Sequence, residues 1–338
     1  MKRNRLTATI AALVAACVFL SLPLSAAADG SLLPFNFSRA GATRHLYVID
    51  FGSVVAVLAF PIRNGIPASS PDREITGLNG PIALSVDAAG TVYVLDQQQL
   101  KVFAPGASGH AKPVRVIDLP FAAKSNIDTL AVDQRGYTYV GESKYIFAYA
   151  PTAHGPAQPV ASVLPRGYPA GLAVDASGDL YVLGNTEEQD PNLVYQSWVT
   201  VYATPSSHPV KIRQFCTHEF TDKGLDYGLA FDGAGHVLAT HPYFIGQTPR
   251  GAVHVFNADT NACPIDPVQT IASQNPSMLG PVYLAIAGNL YVYDFQFDGI
   301  NSGAIFTLQS SGTPQTPLAV LHGPKSMLHG PQGIAVGP

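Results

Sequence analysis

The residues that could do chemistry recur at one point of a repeating pattern. Two positions beyond each Tyr-Val pair, or its equivalent, stand Asp50, Asp96, Glu142, Gly184 followed by Asn185, His241 and Asp294. Carboxylates with an imidazole are the groups that bind Ca²⁺, through oxygen, or a transition ion such as Zn²⁺. Asp50, Asp96, Glu142, His241 and Asp294 are therefore candidate metal ligands. A divalent cation held there would polarise a carbonyl while a spare acid or histidine moved the proton. The competing expectation is that each acid caps its own loop. A second group, just before the strands that open each repeat, comprises Asn79, Asp128, Tyr168, Asp226, Tyr283 and His329 with Gln332. Aromatic side chains gather in the same regions. Tyr243, Phe244, Phe295 and Phe297, with Tyr168 and Tyr283, form a candidate ligand-binding set, because exposed aromatics suit a sugar or a peptide. No Gly-x-Ser-x-Gly elbow, phosphate loop, dinucleotide glycine motif or His-x-x-x-His pair occurs, so an activated serine is not supported.

The elements that position these residues are short β-hairpins. The clearest copies are Leu84-Ser85-Val86-Asp87 to Tyr93-Val94, Leu130-Ala131-Val132-Asp133 to Tyr139-Val140, and Leu172-Ala173-Val174-Asp175 to Tyr181-Val182. Leu229-Ala230-Phe231-Asp232 and the shorter Leu284–Val292 follow. Each copy alternates as a strand, turns at Asp and Gly, and returns through Tyr-Val. The turn aspartates Asp87, Asp133, Asp175 and Asp232 are expected to cap their own turns, and the repeated tyrosines to pack between units. A third and a fourth strand follow each hairpin, as at Leu100–Phe103 and Pro113–Ile117. The turn aspartates lie 46, 42 and 57 residues apart, a spacing that fits propeller blades of about 40–50 residues.

The chain ends at Gly333–Val336, a first strand without a second, and opens at Leu46-Tyr47-Val48, a second strand without a first. Joining them completes a sixth unit and removes the open edges. The expected fold is all-β: a six-bladed β-propeller of four-stranded blades over 42–338, with one blade shared by both termini. These repeats resemble NHL-type repeats, and the ring resembles the propellers of the NHL and gluconolactonase-like superfamily. The resemblance covers nearly the whole chain after the leader. It implies the fold more than the activity, since that superfamily holds lactonases, lyases and binding scaffolds. Its lactonases hold a divalent cation with a Glu, two Asn-type residues and an Asp. That pattern does not map onto this chain residue by residue, and Asp50 is the acid nearest the expected N-terminal Glu.

Residues 1–28 read as an export signal: Lys2, Arg3 and Arg5, an apolar run from Leu6 to Leu24, then Ala26-Ala27-Ala28 before Asp29. A lipoprotein at Cys17 and an uncleaved anchor are the alternatives. Residues 29–41 form a lead-in. Cleavage would remove three basic residues, taking the formal charge from -4 to -7. That balance argues against a nucleic-acid partner. Once the leader is gone, no stable membrane span remains. Cys216 and Cys263 could pair in an oxidising compartment, but the repeat register sets them on opposite faces, which favours separate thiols unless Thr217–Gly224 folds back. With 31 Gly and 28 Pro in 338 residues the chain cannot be a long helix, and with 12% charged residues against 47% hydrophobic it cannot be disordered.

Connections between second and third strands are short at 96–99 and 142–145, and long at Gly184–Ser197, His241–Gly251 and Asp294–Gly303. The first long one is acidic, with Glu187, Glu188 and Asp190. The expected function is a secreted or periplasmic scaffold that binds a carbohydrate, peptide or protein partner through loops on one face without catalysis. A lactonase-like, divalent-metal-dependent hydrolase or lyase at the channel mouth is the alternative.

Overall fold

The computed structural model describes residues 43–338 apart from 52–54, 121–128, 188–194, 204, 218–224, 246–247, 275, 296–302, 313–314 and 330–332. The expected leader and lead-in lie outside the described residues. A 3-10 turn at Pro324–Ser326 is the only helical element among those described. No helix among them is long and apolar enough to cross a membrane.

Six blades form the ring, each a run of four antiparallel strands. Blade 1 joins Gly333–Gly337 to His45–Phe51, Val55–Arg63 and Arg73–Ile75, so both termini share it as expected. Blade 2 holds Pro81–Val86, Val92–Asp96, Gln99–Phe103 and Arg115–Asp118; blade 3 holds Thr129–Val132, Thr138–Glu142, Tyr145–Tyr149 and Ala161–Val163. Blade 4 holds Tyr168–Val174, Leu180–Glu187, Tyr195–Ala203 and Val210–Cys216; blade 5 holds Tyr227–Phe231, His236–Ile245, Thr248–Asn257 and Gln269–Ile271. Blade 6 holds Pro281–Ala287, Asn289–Asp294, Ala304–Gln309 and Ala319–Leu321. First strands of neighbouring blades touch all the way round, so they line the inside of the ring.

Strand periodicity builds the core. Leu46 and Val48 pack toward blade 6 while Tyr47 and Ile49 pack toward blade 2. Tyr93 and Leu95 face blade 3, whereas Val92 and Val94 face blade 1. Side chains alternate across a strand, and both faces of a blade are covered, so the middle strands read as continuous apolar runs. Each seam between neighbouring blades carries its own buried cluster. Burying one Val or Leu there contributes about 1.5–3 kcal/mol.

The turns behave as expected, with one addition. Asp87 Oδ1 accepts the amides of Ala89 and Thr91, each at 2.9 Å. Asp133 Oδ1 does the same for Arg135 and Tyr137. Gly90, Gly136 and Gly178 close these turns at φ 85, 83 and 87, which a Cβ would resist. The repeated tyrosines are more than packing: Tyr93 and Tyr139 donate their hydroxyls to the second oxygen of Asp87 and Asp133, at 3.2 Å each. Burial, helped by Asp87, pushes the Tyr93 hydroxyl up to about 12, so it stays a donor. Tyr47 instead donates to the Pro338 carbonyl at 2.7 Å and ties the two chain ends together.

Proline stands one or two residues before the outer strand of every blade, at Pro71, Pro113, Pro159, Pro209, Pro267 and Pro317. A residue without an N–H blunts an exposed edge against pairing with another chain. The outer strands are joined in a further way. Connections from third to fourth strand lap onto the preceding blade: Gly155–Pro156 runs parallel to the outer strand of blade 2, Gly109 bridges Ile75, and Gln315 bridges Ser273.

This lap joint overturns the expectation of separate thiols. The connection after blade 5's third strand folds over blade 4, where Thr217 bridges Ile265 and the Ile265 amide donates to the Cys216 carbonyl at 2.9 Å. Cys216 and Cys263 meet there as a disulfide with Cα atoms 4.8 Å apart. The repeat register counts strands within a blade and carries no information on where a connection lies relative to its neighbour.

Candidate functional site

The expected ring of ligands does not gather into one site. Asp96 is buried and accepts the amides of Asn79 (3.0 Å) and Gly80 (2.6 Å), with Lys101 Nζ at 2.5 Å. Asp294 accepts the amides of Leu279 (2.5 Å) and Gly280 (3.0 Å), and Asp50 that of His329 (2.7 Å). In each case the acid ends a second strand and holds the chain as it turns into the first strand of the same blade. Glu142 is half-buried and accepts the neighbouring Ser143 hydroxyl at 3.2 Å. At Gly184 an added Cβ would run into the Arg166 carbonyl, which explains the missing side chain.

Blade 5 departs from this arrangement. The acid sits on the incoming segment, as Asp226, and the imidazole of His241 ends the second strand. Asp226 is fully buried, and its Oδ1 lies 3.1 Å from His241 Nδ1 and 3.4 Å from His254 Nδ1. His241 and His254 are buried too, with ring centroids 4.5 Å apart and nearly parallel. Burial alone would raise the Asp226 pKa, but the imidazoles of His241 and His254 outweigh it and hold the carboxyl down, to about 2. Asp226 Oδ2 is buried with no hydrogen-bond partner among the described residues. These three residues form the one group of potential metal ligands among the described residues, with ligand atoms within 4.8 Å of one another. Of the five expected ligands, only His241 belongs to it.

Sheet pairing assembles the group. His241 lies opposite Ala252 and Ala239 opposite His254, so the histidines are diagonal neighbours on one face. That face also carries Val237 and Ala239, which pack into the seam with blade 4. Blade 4 fixes Asp226 by its backbone: Asn185 Nδ2 donates to the Asp226 carbonyl (2.9 Å) and the Asp226 amide donates to Ser197 Oγ (2.9 Å). Ser197 in turn donates to Asn185 Oδ1 at 2.8 Å. His254 had no motif to mark it; its equal parity with His241 across the hairpin was the available signal.

The connections expected as long loops at Gly184–Ser197 and His241–Gly251 are instead paired strands over their described residues. Asn185 lies opposite Ser197 and Glu187 opposite Tyr195; in blade 5 pairing continues to Ile245 opposite Thr248. Backbone groups beside an existing ladder pair rather than remain open, and β-branched and aromatic residues suit the extension. Blade 5's arms are ten residues each, against five in blades 2 and 3. Tyr243 is half-buried and stacked on His241, with centroids 5.5 Å apart. Tyr168 is exposed, with Lys144 over its ring at 5.2 Å. Tyr283 stacks on Tyr293, and Phe295 packs into the seam between blades 6 and 1, so these two belong partly to the core. The Phe244 side chain, Phe297, Glu188, Asp190, Asp128 and Gln332 lie outside what the structure describes.

No family model and no curated protein matches the chain. Solved structures do. A protein of unknown function from Bacteroides caccae is 13% identical, with 87% of this chain and 99% of that one covered and a TM-score of 0.57. The protein from Lactobacillus plantarum is 12% identical, with 87% and 98% covered and a TM-score of 0.53. At such identity the likeness is one of fold, and it places the chain among six-bladed β-propellers.

Proposed function

We propose that the protein is an exported, NHL-type propeller that works as a binding scaffold, holding a carbohydrate or peptide against the face formed by its second-to-third-strand turns. The observation that carries this reading is the collection of exposed apolar residues at that end of the blades. Tyr145 is 45% exposed, Tyr168 53% and Ile245 64%, beside the protruding hairpins of blades 4 and 5. Rigid strands presenting aromatics at their tips lower the ordering cost of binding. Export is supported by the leader and by the disulfide, which persists in oxidising compartments. The hydrolase alternative draws no comparable support, because the carboxylates of Asp50, Asp96 and Asp294 already accept backbone amides.

Glycan and peptide arrays, followed by titration of any hit, test the reading. Tyr168→Ala, and replacement of 243–250 by a two-residue turn, should each weaken binding by about tenfold or more. Failure to bind any array member, or binding indifferent to both changes, would sink it. Mass spectrometry of the protein purified from its host should place the mature N-terminus at Asp29; retention of residues 1–28 on a protein left in the cytoplasm would refute export.

A further inference from the structure

We propose that Asp226, His241 and His254 form a Zn²⁺ site at the base of the blade 5 hairpin. This goes beyond the binding-scaffold reading and does not depend on it. The donor set is chemically suited: two imidazoles and a carboxylate, with no thiolate, fit Zn²⁺ among the borderline divalent ions. Spacing is suited as well. Ligands on a tetrahedral zinc, at bonds of about 2.0–2.1 Å, lie about 3.3 Å apart, and Asp226 Oδ1 lies 3.1 and 3.4 Å from the two imidazole nitrogens.

A hydrogen-bonded triad without metal would share these distances, and the second oxygen distinguishes the two. Asp226 is 0% exposed, and its Oδ2 has no partner among the described residues. Leaving an acceptor of a buried carboxylate unsatisfied is costly, and a divalent cation at the cluster supplies the partner that Oδ2 lacks among the described residues. The surroundings also keep the group in place before metal arrives. Ser197 and Asn185 of blade 4 grip the Asp226 backbone, and Tyr243 and Phe256 flank the two imidazoles as ring neighbours at 5.5 and 6.0 Å. The three ligands come from the segment leading into blade 5 and from its second and third strands. Zinc would therefore cross-link the inner part of blade 5 beneath the arm that carries Tyr243. Three protein ligands leave a fourth position for water.

The test uses full-length protein purified without a histidine tag, stripped with a chelator and titrated with Zn²⁺ against a chromophoric competitor. One Zn²⁺ per chain is expected, with a rise in melting temperature of about 5 °C at a hundredfold excess over Kd. His241→Gln and His254→Gln should each weaken binding by about a hundredfold, while the surface change His329→Gln leaves it unaltered. X-ray absorption of the zinc-loaded wild type should report two imidazoles in a shell of nitrogen and oxygen. Should both variants fail to fold, that spectrum decides alone. Absence of stoichiometric zinc, full affinity in folded variants of both histidines, or a shell without two imidazoles overturns the proposal.

Discussion

A carboxylate in this protein is defined by what it holds. Asp96, Asp294 and Asp50 each accept amides of the chain about to enter a first strand, and Asp96 also meets Lys101. Asp96→Ala should therefore lose about 3 kcal/mol in urea unfolding, because it strands buried amides and a largely buried ammonium. Glu142→Ala, at a half-buried position beside an exposed serine, should stay within about 0.5 kcal/mol. Equal effects at the two sites would show that the capping role is misread. Tyr139→Phe should lose about 1 kcal/mol, since it removes only the hydroxyl that donates to Asp133. Asp226 is of a different kind: its charge is matched by side chains, not by amides.

Among elements, the hairpins and the connections between blades differ in how they are specified. A hairpin is local, with Asp, a left-handed Gly and alternating apolar residues sufficient to define it. The lap joints are not local. Thr217 bridges Ile265 across two blades, and the disulfide beside it closes a loop with a sequence separation of 47. In the chain-entropy model such a closure stabilises by about 4 kcal/mol. The double change Cys216→Ser and Cys263→Ser should lower the urea midpoint accordingly, and a reducing agent should reproduce that loss in the wild type but do nothing to the variant. A variant as stable as wild type would mean that the outer edge is held by its hydrogen bonds alone.

For the whole molecule, the closure of the ring is the decisive contact. Strand Gly333–Gly337 pairs with His45–Phe51, and Tyr47 reaches the Pro338 carbonyl. Ending the chain at residue 332 would uncover Leu46 and Val48, both fully buried, and open an edge on blade 1. The truncated protein should melt at least about 10 °C lower and self-associate in size-exclusion chromatography. An unchanged melting curve would mean that the blades are stable without closure.

The sequence by itself determined the blade count, the strand order within each blade and the sharing of one blade by both termini. Those follow from local turn chemistry and period-two alternation, which act over a few residues and repeat. It also marked Asp50, Asp96 and Asp294, expected to begin the loops after second strands and found at or next to the last residue of those strands, but it could not tell a cap from a metal ligand, since the amides they accept come from segments about fifteen residues upstream or, for Asp50, from the far end of the chain. Only the tertiary structure brought His254 to Asp226 and His241, through the register of a hairpin too long to be recognised as loop or strand from its composition. Only the tertiary structure joined Cys216 to Cys263, because a connection's path over its neighbour is set by packing between blades and leaves no periodic trace in the chain.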